Sequence, residues 1–287
     1  MLGIDIGGTK VAIRVVDDGG GHRDTTFAWQ PGASVEEDVA ALALSLRPLT
    51  GSVTAAGVAF PGIVAADGTV AAWPSRPSWT GLDARALFRD LLPGTAVTVA
   101  DDGDAAALAE ADTLGCTDLA YVGIGTGVGG GFVAGGRMWP GPARGSFELG
   151  HVVIDAGGPR CACGRAGCLQ AVASGPATLA RAAGRRGPVS YADLQDGFAA
   201  GRPWARDVVA ESCAAVATAL IGVEELLHPA LIAVGGGFAA GLPGYVELVA
   251  EHRDLLARTG CSRAPITAAV GRALSSLDGA VLLARHA

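Results

Sequence analysis

Two stretches of the chain share one pattern. "LGIDIGGTKVAIRVV" (2–16) and "LAYVGIGTGVGGGFVAGGRM" (119–138) each run from a short apolar segment through a glycine turn into a second apolar segment. Apolar residues alternating with polar ones around paired glycines mark a tight hairpin, because the turn needs backbone angles that side chains resist. A hairpin pattern that restarts in the second half of the chain points to a duplicated α/β unit. A further turn at Gly19–Gly21 extends the first hairpin into a three-stranded meander. Helical spacing follows at 35–46, a buried-strand run at 53–60, a helix at 82–91 and a buried strand at 95–100, giving the order β-β-β-α-β-α-β. Later patterns read as helices at 176–184 and 205–227, strand-turn at 230–238 and a closing helix at 273–286. The expected fold class is therefore α/β, two-lobed with a cleft at 100–120. Residues 1–100, joined by a C-terminal helix at 273–287, make a small lobe. Residues 101–272 make a large lobe with an irregular Cys- and Gly-rich insertion at 140–175, within which 148–170 is the candidate zinc-binding segment.

Glycine reaches 44 of 287 residues, roughly twice the usual ~7% share. It is concentrated in short runs, which speaks for close backbone approaches. A net charge of −7 argues against nonspecific nucleic-acid binding, which needs clustered Lys and Arg. No apolar run of membrane-spanning length is free of Gly or charge. Asp5 stands where the apolar region of a signal peptide would lie. The expectation is a soluble cytoplasmic protein with neither a nucleic-acid nor a membrane partner.

The glycine turns suggest phosphate. In Asp5-Ile6-Gly7-Gly8-Thr9-Lys10 the glycines let backbone N–H groups crowd an anion. Thr9 and Lys10 add donors, and Asp5 is placed to hold a hydrated Mg²⁺. The Walker signature is absent. Gly125-Thr126-Gly127 is followed by Gly129–Gly131, which completes a G-x-G-x-x-G match at 125, 127 and 130. The residues after the match read as a strand, so a dinucleotide fold lacks its helix N-terminus. A third turn, Gly235-Gly236-Gly237, comes after a strand and suits close passage under an adenine ring. Any one of these is compatible with a plain turn; three at strand ends of a duplicated unit point to a nucleotide.

"VADDGDAAALAE" (99–110) sets Asp101, Asp102 and Asp104 within four residues. Such carboxylates repel one another unless a cation or proton donor faces them. An Asp before an alanine-rich helix also serves as an N-cap whatever the chemistry, and Asp101 or Asp104 could fill that role. Of six cysteines, Cys116, Cys213 and Cys261 stand alone, and Cys213 reads as a small core residue. His151, Cys161, Cys163 and Cys168 instead form a Cys₃His set, the closed tetrahedral pattern of structural Zn²⁺, with disulfides or unligated thiols as the alternatives. Glu148, three residues before His151, would be aimed by that metal.

Taken in order, "DIGGTK", "DDGDAAALAE", "GTGVGGGFVAGG", "ELGH", "CACGRAGCLQ" and "VGGGF" resemble the ROK family of sugar kinases and sugar-responsive repressors, from Ile4 to about Phe238. The E-x-G-H and C-x-C-G-x-x-G-C combination is highly specific. The resemblance implies an actin-like, hexokinase-type ATPase fold (ribonuclease H-like) and transfer of the γ-phosphate of ATP to a hexose 6-hydroxyl with Mg²⁺. It makes Asp102 the catalytic base and sets Asp101 at the sugar's 3- and 4-substituents. Glu148 and His151 would face ring hydroxyls, with His151 also ligating zinc. Asp5 through Lys10 and Gly125 through Gly127 would cradle phosphates, and Gly235–Gly237 would border adenosine. Dimers are common among such proteins, so a homodimer is expected.

Three departures from the family pattern bear on the substrate. Asp101 replaces an Asn, Gln170 replaces a Glu, and Ser75 in "PSRPSWTG" stands where an Asn is common. A carboxylate only accepts hydrogen bonds, so Asp101 beside Asp102 asks for a cation or extra donors on the ligand. An ammonium at C3 of a glucose-like ring supplies one, and Gln170 removes a charge near O1 and O2. The expected substrate is an amino-hexose such as kanosamine (3-amino-3-deoxy-glucose). The alternatives are glucose in a glucokinase, or sugar binding without catalysis. A repressor would need a helix-turn-helix ahead of the first strand, which here begins at Leu2.

Overall fold

The computed structural model describes residues 1–17, 19–141, 145–261, 263–271 and 274–285. Along the chain run β1 (Leu2–Ile6), β2 (Lys10–Val16), β3 (His22–Ala28), α1 (Val35–Leu46), β4 (Ala55–Phe60), β5 (Ile63–Val64), β6 (Val70–Ala72), α2 (Ala84–Leu91), β7 (Ala96–Asp101) and α3 (Asp102–Leu114). The second half begins with β8 (Leu119–Ile124), β9 (Val128–Ala134) and β10 (Arg137–Trp139). Four helices come next: α4 (Leu169–Ala173), α5 (Gly175–Arg186), α6 (Tyr191–Ala199) and α7 (Pro203–Leu227). The chain ends with β11 (Leu231–Gly235), the single turn α8 (Gly237–Ala240), α9 (Tyr245–Leu256), β12 (Ile266–Ala268) and α10 (Ser275–Arg285).

The sequence repeat is a repeat of topology. The two large sheets have the orders β3-β2-β1-β4-β7 and β10-β9-β8-β11-β12. β1 pairs antiparallel with β2 and parallel with β4. β8 pairs antiparallel with β9 and parallel with β11. Each glycine hairpin thus feeds a central strand whose other neighbour arrives in parallel through a helical crossover.

Contacts divide the chain into two units: Met1–Ala109 with Arg137–Phe147 and Leu274–Ala287, and Glu110–Gly136 with Glu148–Ala273. In the first, Leu2, Ile4 and Ile6 of β1 are buried together with Val58 and Phe60 of β4. α1 starts at a capping box: Ser34 Oγ accepts from Glu37 N–H at 3.3 Å, and the Glu37 carboxylate accepts from Ser34 N–H at 2.8 Å. Its buried face is Asp38, Leu42 and Leu46, an acid within an apolar stripe. α10 lies tight against the sheet because glycines leave it room. A Cβ at Gly57 would sit 2.0 Å from the Ala280 carbonyl oxygen, and one at Gly3 would sit 2.6 Å from Val281 Cγ2. Gly279 of α10 meets the start of α3 in the same way, a Cβ there falling 1.9 Å from the Ala105 oxygen. Ser276 Oγ donates to the Asp102 carbonyl at 3.3 Å. The first turn of α3 is therefore held by α10 as well as by β7.

The second unit places β8, β9, β11 and β12 with α4 through α9. The 25-residue α7 buries a long face including Val209, Cys213, Val216 and Leu220. Arg253 of α9 forms a buried ion pair with Glu224 of α7 and donates to the Ala264 carbonyl at 2.9 Å. The buried Glu110 carboxylate accepts from the N–H groups of Val270 and Gly271 at 2.7 and 2.8 Å. Helices α4, α6, α8 and α9 lie where the sequence pattern marks no helix. Among the described residues, no helix is long and apolar enough to cross a membrane.

Candidate active site and metal loop

In the first unit the chemistry gathers where strands end. Gly7 closes the β1–β2 turn: its N–H bonds to the Lys10 carbonyl at 2.8 Å, and a Cβ there would lie 2.9 Å from that oxygen. Asp5, one residue inside β1, is mostly buried. Burial pushes its carboxyl up, the charge of Asp102 adds to the rise, and Lys10 pulls back; the result is about 6 against the ordinary 3.8.

β7 runs into α3 without a linker. Asp101 is the last strand residue and Asp102 the first helical one. Asp101 Oδ1 accepts from Gly103 N–H at 2.9 Å, so Asp101 caps the helix. A small cavity beside Asp101 is lined by Gly62, Arg85, Val99, Ala100 and Ser146. Asp102 sits in the first helical turn, where the helix dipole favours its anion.

Ser75 stands directly over the first turn, since a Cβ at Gly8 would lie 2.7 Å from Ser75 Oγ. A buried network that the sequence did not reveal holds this loop. Asp38 (1% exposed) pairs with Arg76 (8% exposed) and accepts from Trp79 Nε1 at 2.9 Å. The Arg76 guanidinium lies 4.7 Å from the Trp29 ring centroid. Trp29 Nε1 donates to the Gly7 carbonyl at 2.7 Å. The signal available in the sequence was Asp38 itself, four residues before Leu42 on an apolar stripe, where an acid requires a buried cation. A cavity of about 470 Å³ opens here, bordered by Gly8, Thr9, Trp29, Gly32, Ser75 and Arg76.

In the second unit the β8–β9 turn carries Gly125, Thr126 and Gly127. Gly125 N–H bonds to the Gly127 carbonyl at 2.9 Å, and space above Gly125 is open. Gly129, Gly130 and Gly131 belong to β9, which confirms that no helix succeeds the G-x-G-x-x-G match. Gly236 takes φ +87°, and a Cβ there would fall 2.4 Å from both the amide nitrogen and the carbonyl oxygen of Ile124. Gly237 beyond it faces open space. Gly235 meets Ala269, a Cβ there lying 2.6 Å from Ala269 Cβ.

The ELGH segment is a 3-10 turn, Leu149–His151, directly after Glu148. Only glycine fits at 150, because a Cβ would lie 1.9 Å from the Val128 carbonyl oxygen. The motif therefore locks Glu148 and His151 onto the start of β9. The cysteine loop then folds back through Gly164 (φ +92°) and Gly167 (φ +72°). A Cβ at Gly167 would collide with the Asp155 carbonyl at 1.5 Å. The turn brings one donor atom each from His151, Cys161, Cys163 and Cys168 within 4.8 Å of one another. Cys163 and Cys168 Sγ are 3.6 Å apart, and Cys161 Sγ is 3.8 Å from His151 Nδ1. A disulfide needs ~2.05 Å. Sulfurs bound at ~2.3 Å to one tetrahedral ion stand roughly 3.8 Å apart, so the donor set fits such an ion. Burial pushes the Cys161 thiol up, but the Cys163 N–H and the Gln170 amide outweigh it and bring it down to about 6. Gln170 Nε2 lies 3.3 Å from Cys161 Sγ.

Of the residues singled out by sequence, the first unit holds Asp5, Gly7, Gly8, Thr9, Lys10, Ser75, Asp101 and Asp102. The second holds Gly125–Gly127, Glu148, His151, the three cysteines, Gln170 and Gly235–Gly237.

Similarity to known proteins agrees with this geometry. The sequence profile of the ROK family matches residues 1–287. A kanosamine kinase from Amycolatopsis mediterranei is 52% identical, covering 99% of this chain and 95% of that protein. The ROK hexokinase of Thermus thermophilus superposes with a TM-score of 0.87 at 31% identity, covering 100% of this chain and 98% of that one. A ROK glucokinase from Streptomyces griseus, solved with glucose and AMPPNP, gives 0.80 at 26% identity, covering 100% and 99%. The chain belongs to the ROK family.

Proposed function

We propose that this chain is an ATP-dependent sugar kinase that phosphorylates the 6-hydroxyl of a glucose-like hexose, and that its sugar is an amino-hexose such as kanosamine. The observation that carries the reading is the pair of adjacent carboxylates where β7 becomes α3, in a chain 52% identical to a kanosamine kinase over its length.

Asp102 accepts the proton of the 6-hydroxyl as that oxygen forms its bond to the γ-phosphorus and the bond to the departing ADP oxygen breaks. Its backbone, at the junction of β7 and α3, is also held by Ser276 of α10. Asp101 keeps one oxygen on Gly103 N–H, and the other meets the ammonium at C3. A site built around that charge rejects the hydroxyl analogue by leaving a carboxylate without its cation. Ser75, Glu148 and His151 bind the remaining hydroxyls. Gly7, Gly8, Thr9 and Lys10, and likewise Gly125–Gly127, donate backbone and side-chain hydrogens to phosphate oxygens. Gly237, with open space above it, lets adenosine approach. Mg²⁺ at Asp5 would neutralise phosphate charge. His151, Cys161, Cys163 and Cys168 would hold Zn²⁺ in a closed set that fixes the loop bearing Glu148.

A second reading, glucose as the sugar, is favoured by the Asp101–Gly103 hydrogen bond, which gives Asp101 a capping role needing no cation. An ADP-release assay over a panel of hexoses and amino-hexoses, with NMR assignment of the phosphorylated carbon, tests the proposal. Sugar-dependent release with phosphate on O6 is expected. No release with any sugar would leave only a binding protein.

A further inference from the structure

We infer that Gln170 is a positioning residue of the metal loop, its side-chain amide donating to the Cys161 sulfur and bracing that loop against the β8–β9 turn; the inference rests on the metal reading proposed above. Gln170 is the second residue of α4, two positions after Cys168, which caps the start of that helix. The helix thus fixes where its side chain begins. From there Nε2 reaches Cys161 Sγ at 3.3 Å, a separation suited to N–H···S. Oε1 lies on the other side, 3.2 Å from where a Cβ on Gly127 would stand. One side chain therefore spans from a metal-binding sulfur to a glycine turn of the neighbouring hairpin.

The chemistry favours an amide at this position. A bound cysteine is a thiolate, and a buried thiolate needs donors. An amide supplies N–H toward sulfur while keeping an oxygen for the opposite side. A carboxylate of the same length has only acceptors and would set a second negative charge against the sulfur. The family pattern alone links Gln170 to the loss of a charge near the sugar; the geometry gives its amide a different partner. Hydrogen bonds of this kind orient a ligand and moderate the charge it presents to the metal.

The test uses the full chain, as purified and after replacement of its metal by Co²⁺, with the variants Gln170→Glu and Gln170→Met. Met matches the length and removes the donor without adding charge, so it serves even where the Glu variant does not fold. Chelator competition, run without sugar or nucleotide, reads metal affinity. We expect Gln170→Met to bind Zn²⁺ about 10- to 100-fold more weakly, and this variant decides the test. The thiolate-to-Co²⁺ charge-transfer band should move to longer wavelength, because a sulfur stripped of its donor gives up its electrons more readily. Affinities within about twofold of the unmodified chain, with an unmoved band, overturn the inference while leaving the metal reading intact. Failure of the unmodified chain to hold any metal overturns both.

Discussion

The charge of Asp102 adds to burial in holding the Asp5 carboxyl at about 6 instead of 3.8. The unfolded chain releases this proton near 3.8, the folded chain near 6, so between those values the folded state carries more protons. Stability therefore falls as pH rises through that window, and the loss is complete above about 6. At ~1.4 kcal/mol per pH unit the cost is about 3 kcal/mol.

Asp5→Asn removes that cost. In the absence of ligands its melting temperature should exceed that of the unmodified chain at pH 7.5, and the advantage should shrink toward pH 4. Parallel pH profiles for the two proteins in thermal denaturation would show that Asp5 holds no such charge.

Asp102→Asn keeps the shape of the first turn of α3 and removes the carboxylate proposed as proton acceptor. Turnover should drop by about 10²- to 10⁴-fold, while sugar binding measured by calorimetry changes little. A kcat close to that of the unmodified enzyme would dismiss Asp102 as the base.

Metal analysis of the purified chain should find about one zinc per molecule. Cys163→Ser removes one of four donors and should lose the metal. Because Gly150 seats the ELGH turn on β9, the loss should also loosen Glu148, raising the KM for sugar. Equal metal content in the two proteins would exclude Cys163 as a ligand.

Asp101→Asn retains a side-chain oxygen for the Gly103 N–H and removes the charge. The helix should remain capped, so the melting temperature should move little. The ratio of kcat/KM for kanosamine to that for glucose should fall by about tenfold or more, as expected when a charged hydrogen-bond partner is lost. An unchanged ratio would mean that Asp101 does not read the amine.

Much of this architecture is legible in the sequence alone. α1 occupies the residues its apolar spacing marks, and both hairpins lie where glycines interrupt alternation, because these elements depend on local periodicity. α9 escapes because its signal is not local. Its cap is Gly244 in a left-handed conformation. Its buried positions are Tyr245, Val249 and Arg253, and an Arg reads as surface until Glu224 is seen opposite it. α6 announces itself only through the Ser190–Asp193 capping box. At the site, the Cys₃His set is readable because three of its members sit within eight residues. The Asp38–Arg76 pair is not, since its partners come from separate elements. Gln170 is visible as a departure from the family pattern, but its partner, Cys161, emerges only from the fold of the loop.

The most direct test of the proposed reaction is the kcat/KM of the unmodified enzyme for kanosamine and for glucose, measured side by side across pH. Kanosamine should be preferred while its amine is protonated, with the preference declining as the amine loses its proton. Equal or greater efficiency with glucose at every pH would contradict recognition of the sugar as a cation.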